Sequence, residues 1–168
     1  MTVTSLVSRV ERFDHAGLEL AARARRRWVS PLVAAFTRTG NLGLLWLAIG
    51  ATIDQAGHVV VLLIATTIAS EGIKRVAQRE RPSWRRLECL IGHQRTTSFP
   101  SGHAASAAGA AIILTAAAPA LAPLWVSLAG LMTVSRVYVG VHYPSDVAIG
   151  ALLGTAIGVL SLTASALF

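Results

Sequence analysis

The chain has 168 residues, of which 54% are hydrophobic and only 14% charged, with a formal net charge of +7. That balance excludes an ordinary soluble globular domain, where about a quarter of residues carry charge. A single cysteine, Cys89, excludes an internal disulfide and a cysteine-ligated zinc or iron–sulfur site, and is expected to be a small loop residue.

Leu6, Val10, Phe13, Gly17, Leu20, Ala24 and Trp28 recur at three- and four-residue steps, while Arg9, Arg12, Asp14, Glu19, Arg23 and Arg26 fall elsewhere. This predicts an N-terminal amphipathic helix over residues 1–28, lying in the membrane interface and ending in Arg25-Arg26-Arg27-Trp28. The charges scattered through Val3–Leu20 do not form a cleavable signal peptide, so the chain is expected to stay whole.

Apolar stretches of the ~20 residues that cross a hydrocarbon core then recur to the end. They predict spans at about Pro31–Ile53, His58–Ile73, Pro100 to the Pro119–Pro123 breaker, Leu124–Val141 and Asp146–Leu167. Asp54-Gln55-Ala56-Gly57 makes the first turn, and Lys74–Ser98 is the only substantial loop. The fold class is therefore all-α: an integral membrane helical bundle of about five transmembrane helices, a single membrane domain over 1–168 with its core at 31–168. Gly150, Gly154 and Gly158 recur every fourth residue, a stripe that lets another helix approach closely. The Ala- and Gly-rich third span should pack equally tightly.

Alternating spans bring distant polar residues to one membrane face. The second span ends at Lys74, the third begins at Ser101, the fourth ends near Arg136 and His142, and the fifth begins at Asp146. Ionisable residues at membrane depth are costly without a functional partner. Lys74, Arg81 and Arg136 together suit a multiply charged anion, with guanidinium forks matched to phosphate oxygens. In Pro100-Ser101-Gly102-His103 the proline opens a helix whose N-terminal N–H groups can approach that anion. A neutral imidazole oriented by a carboxylate, His142 with Asp146, can act as nucleophile or base, and a second imidazole, His103, can protonate a leaving oxygen. That division of labour describes phosphoryl transfer through a phosphohistidine.

Lys74 with Arg81-Pro82, then Pro100-Ser101-Gly102-His103, then Ser135-Arg136 with His142 and Asp146, resembles the three-part signature of the type 2 phosphatidic acid phosphatase superfamily, in its membrane lipid phosphatase branch. All three parts stand in order between residues 74 and 146. The resemblance implies a helical core and metal-independent hydrolysis of phosphate esters, with no cofactor and no metal. It also implies roles: His142 attacks phosphorus, Asp146 orients it, and His103 protonates the leaving group and later activates water. Lys74, Arg81, Ser101, Gly102 and Arg136 would hold the phosphoryl oxygens.

Other residues invite simpler readings. His15 and His58 are expected to be structural, and His93 lies in the catalytic-side loop. Arg75, Arg79, Arg85, Arg86 and Arg95 are read as a rim facing anionic headgroups rather than a merely solvated face. Trp28 and Trp84 are expected as interfacial anchors. Glu71 should pair with Lys74 across a helical turn, and Tyr143 and Pro144 should shape the turn into the last span.

All fifteen Lys and Arg fall on the catalytic side or in the N-terminal segment that shares it. Setting Lys74, Arg81 and Arg136 aside leaves twelve against none in the opposite loops near Asp54 and Ala120. The positive-inside rule then predicts a cytoplasm-facing site in a bacterial inner membrane, with the N-terminus inside and the C-terminus outside. The expected partner is a lipid phosphate within the membrane: phosphatidate, phosphatidylglycerol phosphate, a polyprenyl phosphate or diphosphate, or a phosphorylated prenyl-linked sugar. Two rivals are a non-catalytic lipid-phosphate binder, which would tolerate loss of His142, and a vanadate-dependent haloperoxidase-like enzyme. No nucleic-acid-binding module is present, and one membrane face accounts for the positive charge.

Overall fold

The computed structural model describes residues 3–82, 89–92 and 94–165. Among them are seven α-helices and no strands: α1 (Val3–Ala24), α2 (Val29–Thr39), α3 (Leu44–Thr52), α4 (Ala56–Ala77), α5 (Gly102–Ala117), α6 (Ala122–Tyr138) and α7 (Pro144–Ser165). Trp84, Arg85, Arg86 and His93, to which the sequence assigned interfacial or loop roles, lie outside the described residues.

The apolar residues are arranged for two solvents. Ile64 and Ile68 on α4, Leu131 and Val134 on α6, and Leu152 and Leu160 on α7 all face outward. Inside, α5 is buried along nearly its whole length by Ala104, Ala105, Ala107, Ala110, Ile113 and Leu114. The small residues explain its central place. A Cβ added at Gly154 would collide with the backbone carbonyl of Ala105, and one at Gly158 would come within 2.9 Å of the Gly109 carbonyl. The α7 stripe therefore brings two backbones into contact, as its spacing predicts. Trp46, Leu62, Ile113, Trp125 and Met132 fill the core.

The helices α4, Pro119–Tyr138 and Pro144–Ala164 are each long and apolar enough to cross a membrane, and the α2–α3 pair passes the same test as one broken span. The 16-residue α5 is about 24 Å long at 1.5 Å per residue, shorter than a hydrocarbon core of about 30 Å. It is the third expected span, shorter than a membrane-crossing helix and wrapped by its neighbours inside the bundle.

Two expectations need correction. The first span is not continuous: between α2 and α3 the chain passes through a 3₁₀ turn, Asn41–Gly43, and bends by 59°. Leu42 and Gly43 adopt φ of 54° and 71°, and the glycines at 40 and 43 weaken helix propagation there. The second span runs to Ala77 rather than Ile73, which places Lys74 in the last helical turn.

The N-terminal helix is amphipathic in an unexpected sense. It packs along α6 and α7 and buries Asp14 and Leu18, while Phe13 and Leu20 face outward. Gly17 lies so close to Pro144 that a Cβ would collide with its ring. At the helix end, Arg25 Nε donates to the Tyr138 carbonyl at 3.0 Å.

Candidate active site

Four chain segments meet at one end of the bundle. The last turn of α4 supplies Lys74, whose Nζ lies 2.6 Å from Glu71 Oε1, the pairing that the sequence predicts. One turn earlier, Ser70 Oγ is buried without a hydrogen-bond partner among the described residues, and lines the same cavity as Lys74, Gly102 and His103.

The loop after α4 carries Arg81 inward. Its Nε donates to the Thr96 carbonyl at 2.6 Å, and its Nη1 donates to the Val141 carbonyl at 2.9 Å and lies 3.1 Å from His142 Nε2. Burial lowers the Arg81 pKa to about 10, with the Asp146 charge opposing the shift, so the side chain remains a cation at neutral pH. A guanidinium has donors only, so His142 Nε2 must be the acceptor. The ring proton is thereby placed on Nδ1, which faces Asp146 Oδ2 at 3.6 Å. That tautomer puts the ring's one basic lone pair on Nε2, where it accepts the Arg81 hydrogen bond that an incoming electrophile would displace.

His142 lies outside the spans, between α6 and α7, and is 2% exposed. Burial is the chief cause lowering its pKa to about 3; the neighbouring carboxylate of Asp146 opposes this, and the charges of Arg81 and Arg136 reinforce it. The ring is therefore neutral throughout the physiological range. Asp146, in the first turn of α7, is fully buried: its Oδ2 accepts from Tyr143 N–H at 2.9 Å and from the Ser98 hydroxyl.

From α6, Arg136 donates from Nη1 to Thr37 Oγ1 at 2.7 Å, and Thr37 also accepts from the Ser135 hydroxyl at 2.9 Å. Arg136 Nε is buried without a partner among the described residues. The Ser101 N–H donates to the Asp146 carbonyl at 3.0 Å, tying the start of α5 to that of α7. The Ser101 hydroxyl caps α5 by accepting from Ala104 N–H at 3.4 Å, which leaves its own proton free for a ligand. Gly102 and His103 open the helix, whose first N–H groups have no intrahelical acceptor. His103 lies within electrostatic reach of Lys74, Arg81, Arg136 and His142. Its Nε2 is 3.1 Å from Asn41 Oδ1, presented by the break in the first span.

All eight site residues expected from the sequence thus lie at this end. Arg79 is the correction. Rather than forming a rim, it is partly buried, with Nη1 2.6 Å from Asp146 Oδ1 and Nη2 2.5 Å from Asp14 Oδ2. Burial lowers its pKa, but the hydrogen bonds and charges of Asp14 and Asp146 outweigh this and raise it. Asp14, Thr37, Asn41, Ser70 and Ser98 were also missed. The turn-forming Gly40-Asn41-Leu42-Gly43 could have revealed the break. Asp14 had no such signal among the other charges of α1.

The fold and the pocket define an all-helical membrane protein with a buried histidine–carboxylate pair beside two arginines, Arg81 and Arg136, and with Lys74 at the same end of the bundle. The chain belongs to the PAP2 superfamily, whose sequence model matches residues 55–167. It is 37% identical over 115 residues to the decaprenylphosphoryl-5-phosphoribose phosphatase of Mycobacterium tuberculosis, covering 68% of this chain and 58% of that protein. Over 141 residues it is 31% identical to an undecaprenyl-diphosphatase of Sulfolobus acidocaldarius, covering 80% of this chain and 60% of the relative. The chain thus spans somewhat over half the length of these relatives. Among solved structures, it resembles the PAP2-type phosphatidylglycerolphosphate phosphatase of Bacillus subtilis with a TM-score of 0.77 and 26% identity, over 93% of this chain and 86% of the other. LpxE of Aquifex aeolicus shares the fold, with a TM-score of 0.76 at 24% identity over 87% of this chain and 92% of the other.

Proposed function

We propose that this chain is a membrane lipid phosphatase that works through a phosphohistidine and needs no metal. One observation carries the reading: Lys74, Arg81, Arg136 and a neutral His142 all stand within electrostatic reach of His103, the Nε2 of His142 carries the ring's lone pair beside Arg81, and Arg136 has no carboxylate partner among the described residues. A phosphoryl group supplies the missing negative charge. In the first step His142 Nε2 forms a bond to phosphorus while the bond to the leaving oxygen breaks, and His103 delivers a proton to that oxygen. In the second, His103 takes a proton from water, the water oxygen attacks phosphorus, the N–P bond breaks and phosphate leaves. Asp146 stabilises the positive charge on the phosphorylated ring.

The substrate reading rests on the cavity. A space of about 440 Å³ runs from Lys74, Gly102 and His103 along Leu63 and Ile64 to Ile68 and Leu42. The last two are 68% and 90% exposed on the outer surface, so the groove opens sideways toward lipid. A flexible prenyl tail fits it while the phosphate remains at the cations. With the relative active on a decaprenyl-linked phosphoribose, this favours a phosphate monoester on a prenyl-linked head group. The diphosphatase relative makes a prenyl diphosphate the second reading. The lysines and arginines gather at the catalytic end and its N-terminal helix, which supports a site on the cytoplasmic face of a bacterial inner membrane.

The experiment is phosphate release by purified protein in detergent, with EDTA, from phosphatidate, phosphatidylglycerol phosphate, a prenyl-linked phosphoribose, and prenyl mono- and diphosphates. Activity on a prenyl substrate that vanishes in His142→Ala supports the reading. Undiminished turnover in that variant removes the phosphohistidine, and loss of activity on adding EDTA removes the metal-free mechanism.

A further inference from the structure

We propose that Arg79 is a positioning residue for Asp146 and that Asp14 on α1 sets the strength of its grip, which makes the N-terminal helix part of the catalytic apparatus. The inference rests on His142 being the nucleophile.

Asp146 has two differently employed oxygens. Oδ2 faces the His142 ring and accepts from Tyr143 N–H and Ser98, whereas Oδ1 accepts from Arg79 Nη1 at 2.6 Å. A carboxylate held on one side only can rotate about its terminal torsion, and Arg79 closes the other side. The arginine is itself held on three sides. Nη1 also donates to Ser145 Oγ at 2.7 Å, Nη2 donates to Asp14 at 2.5 Å, and the guanidinium lies 4.2 Å from the centre of the Tyr143 ring.

Asp14 is 1% exposed on a helix whose other acidic residues, Glu11 and Glu19, are exposed. Its Oδ1 accepts from Ser145 N–H at 2.8 Å and its Oδ2 from the Ser145 hydroxyl at 2.7 Å. One guanidinium is thus divided between two buried carboxylates. Paired with Asp146 alone, Arg79 would neutralise the charge that must stabilise a phosphorylated imidazole. Sharing it with Asp14 leaves the group with one net negative charge beside His142, and still fixes the carboxylate. A mere brace between α1 and α7 would require only the Asp14–Ser145 contacts. Arg79 instead extends to the oxygen opposite the nucleophile's ring.

The test uses the full chain in detergent micelles and whichever lipid of the panel above the wild type hydrolyses fastest. Arg79→Ala should lower kcat by about 10²-fold, the cost of misplacing a catalytic group by about 1 Å, while KM changes by less than about twofold because the phosphate-binding cations are untouched. Asp14→Asn, which keeps the shape, should lower kcat by about tenfold by returning all of Arg79 to Asp146. A cavity of about 180 Å³ beside Arg79, lined by Glu11, Asp14, His15, Glu80 and Tyr143, is large enough for a small cation. Methylguanidinium should therefore restore part of the Arg79→Ala rate, and equimolar methylammonium or sodium chloride should not.

Arg12→Ala, exposed on the same helix, serves as the control for generic loss of charge. If Arg79→Ala does not fold, Arg79→Lys and Asp14→Asn carry the test through the same split between kcat and KM. Unchanged kcat in both folded variants overturns the proposal, as does a rate loss that follows falling Tm and rising KM without rescue. A wild type silent on every lipid overturns the phosphatase reading beneath it, and an active wild type with indifferent Arg79 variants overturns this inference alone.

Discussion

Replacing Arg136 by methionine should make the empty protein more stable while destroying its chemistry. The guanidinium has five N–H donors, yet among the described residues its only hydrogen-bond acceptor is Thr37 Oγ1 at 2.7 Å, and Nε is buried without a partner. Each unmet buried donor costs about 1–3 kcal/mol, and an isolated charge costs more. Methionine of similar length removes these costs, loses the one hydrogen bond to Thr37, worth about 1 kcal/mol, and leaves Thr37 still bonded to Ser135. The expected net gain is about 1–3 kcal/mol, or roughly 2–4 °C of Tm per kcal/mol in a domain of this size. Thermal unfolding in detergent, with and without orthovanadate as a phosphate mimic, reads both halves of the argument. Wild-type Tm should rise with vanadate, by about 2.7 kcal/mol of stability at a hundredfold excess over Kd, whereas Arg136→Met should begin higher and respond little. Turnover should fall by about 10²–10³-fold, as when one transition-state donor is removed. A variant that melts well below wild type and keeps its vanadate response would show Arg136 to be a satisfied structural residue.

The pKa of His142, lowered to about 3 mainly by burial, carries a linkage prediction. The unfolded chain binds a proton near pH 6.5 that the folded ring refuses, so this group's contribution is fully present above that pH and is lost as pH falls toward 3. Tm measured against pH should therefore slope less in His142→Gln than in wild type across that window, and parallel curves would contradict the assignment. Asp146→Asn should keep slow residual turnover, because an amide can still orient the ring but stabilises the phosphorylated imidazole less; steady-state kinetics at wild-type rate would remove Asp146 from the mechanism. Gly150→Ala should lower kcat, since its Cβ would collide with the Ser101 carbonyl, while Gly57→Ala, where a Cβ meets nothing within 4 Å, should leave kcat unchanged. Equal rates in the two variants would show that the α5 N-terminus tolerates displacement.

The candidate site was legible because its residues are expensive where they stand. A lysine, two arginines, two histidines and an aspartate placed at span ends in an otherwise apolar chain announce themselves by type, and span alternation alone brings them to one face. What supports them was less legible. Thr37, Ser70 and Ser98 are hydroxyls of a kind that any helix end or loop carries, and only their contacts distinguish them. Arg79 was misassigned because it lies among other arginines, and nothing in its spacing distinguishes an inward guanidinium from an exposed one. Asp14 pairs with partners 65 and 131 residues away in sequence, a relation that no local pattern encodes. The break in the first span was visible in Gly40-Asn41-Leu42-Gly43, but continuous hydropathy across Pro31–Ile53 concealed it.

The glycine stripe links the packing to the site more directly than its structural role in the sequence suggested. Gly154 and Gly158 press α7 against the backbone of α5, and Gly150, one turn nearer the polar end, meets the Ser101 carbonyl. The Ser101 N–H in turn donates to the Asp146 carbonyl at 3.0 Å. The spacing between the start of α5 and the carboxylate at the start of α7 is therefore set by backbone contact, with no flexible side chain between them. Such contact cannot be adjusted by rotamer changes, so it holds the N–H groups at the start of α5 in fixed register with the Asp146 carboxylate. Buried cations such as Arg136 weaken the empty protein at this end. Close α5–α7 packing offsets that cost at the same end of the bundle.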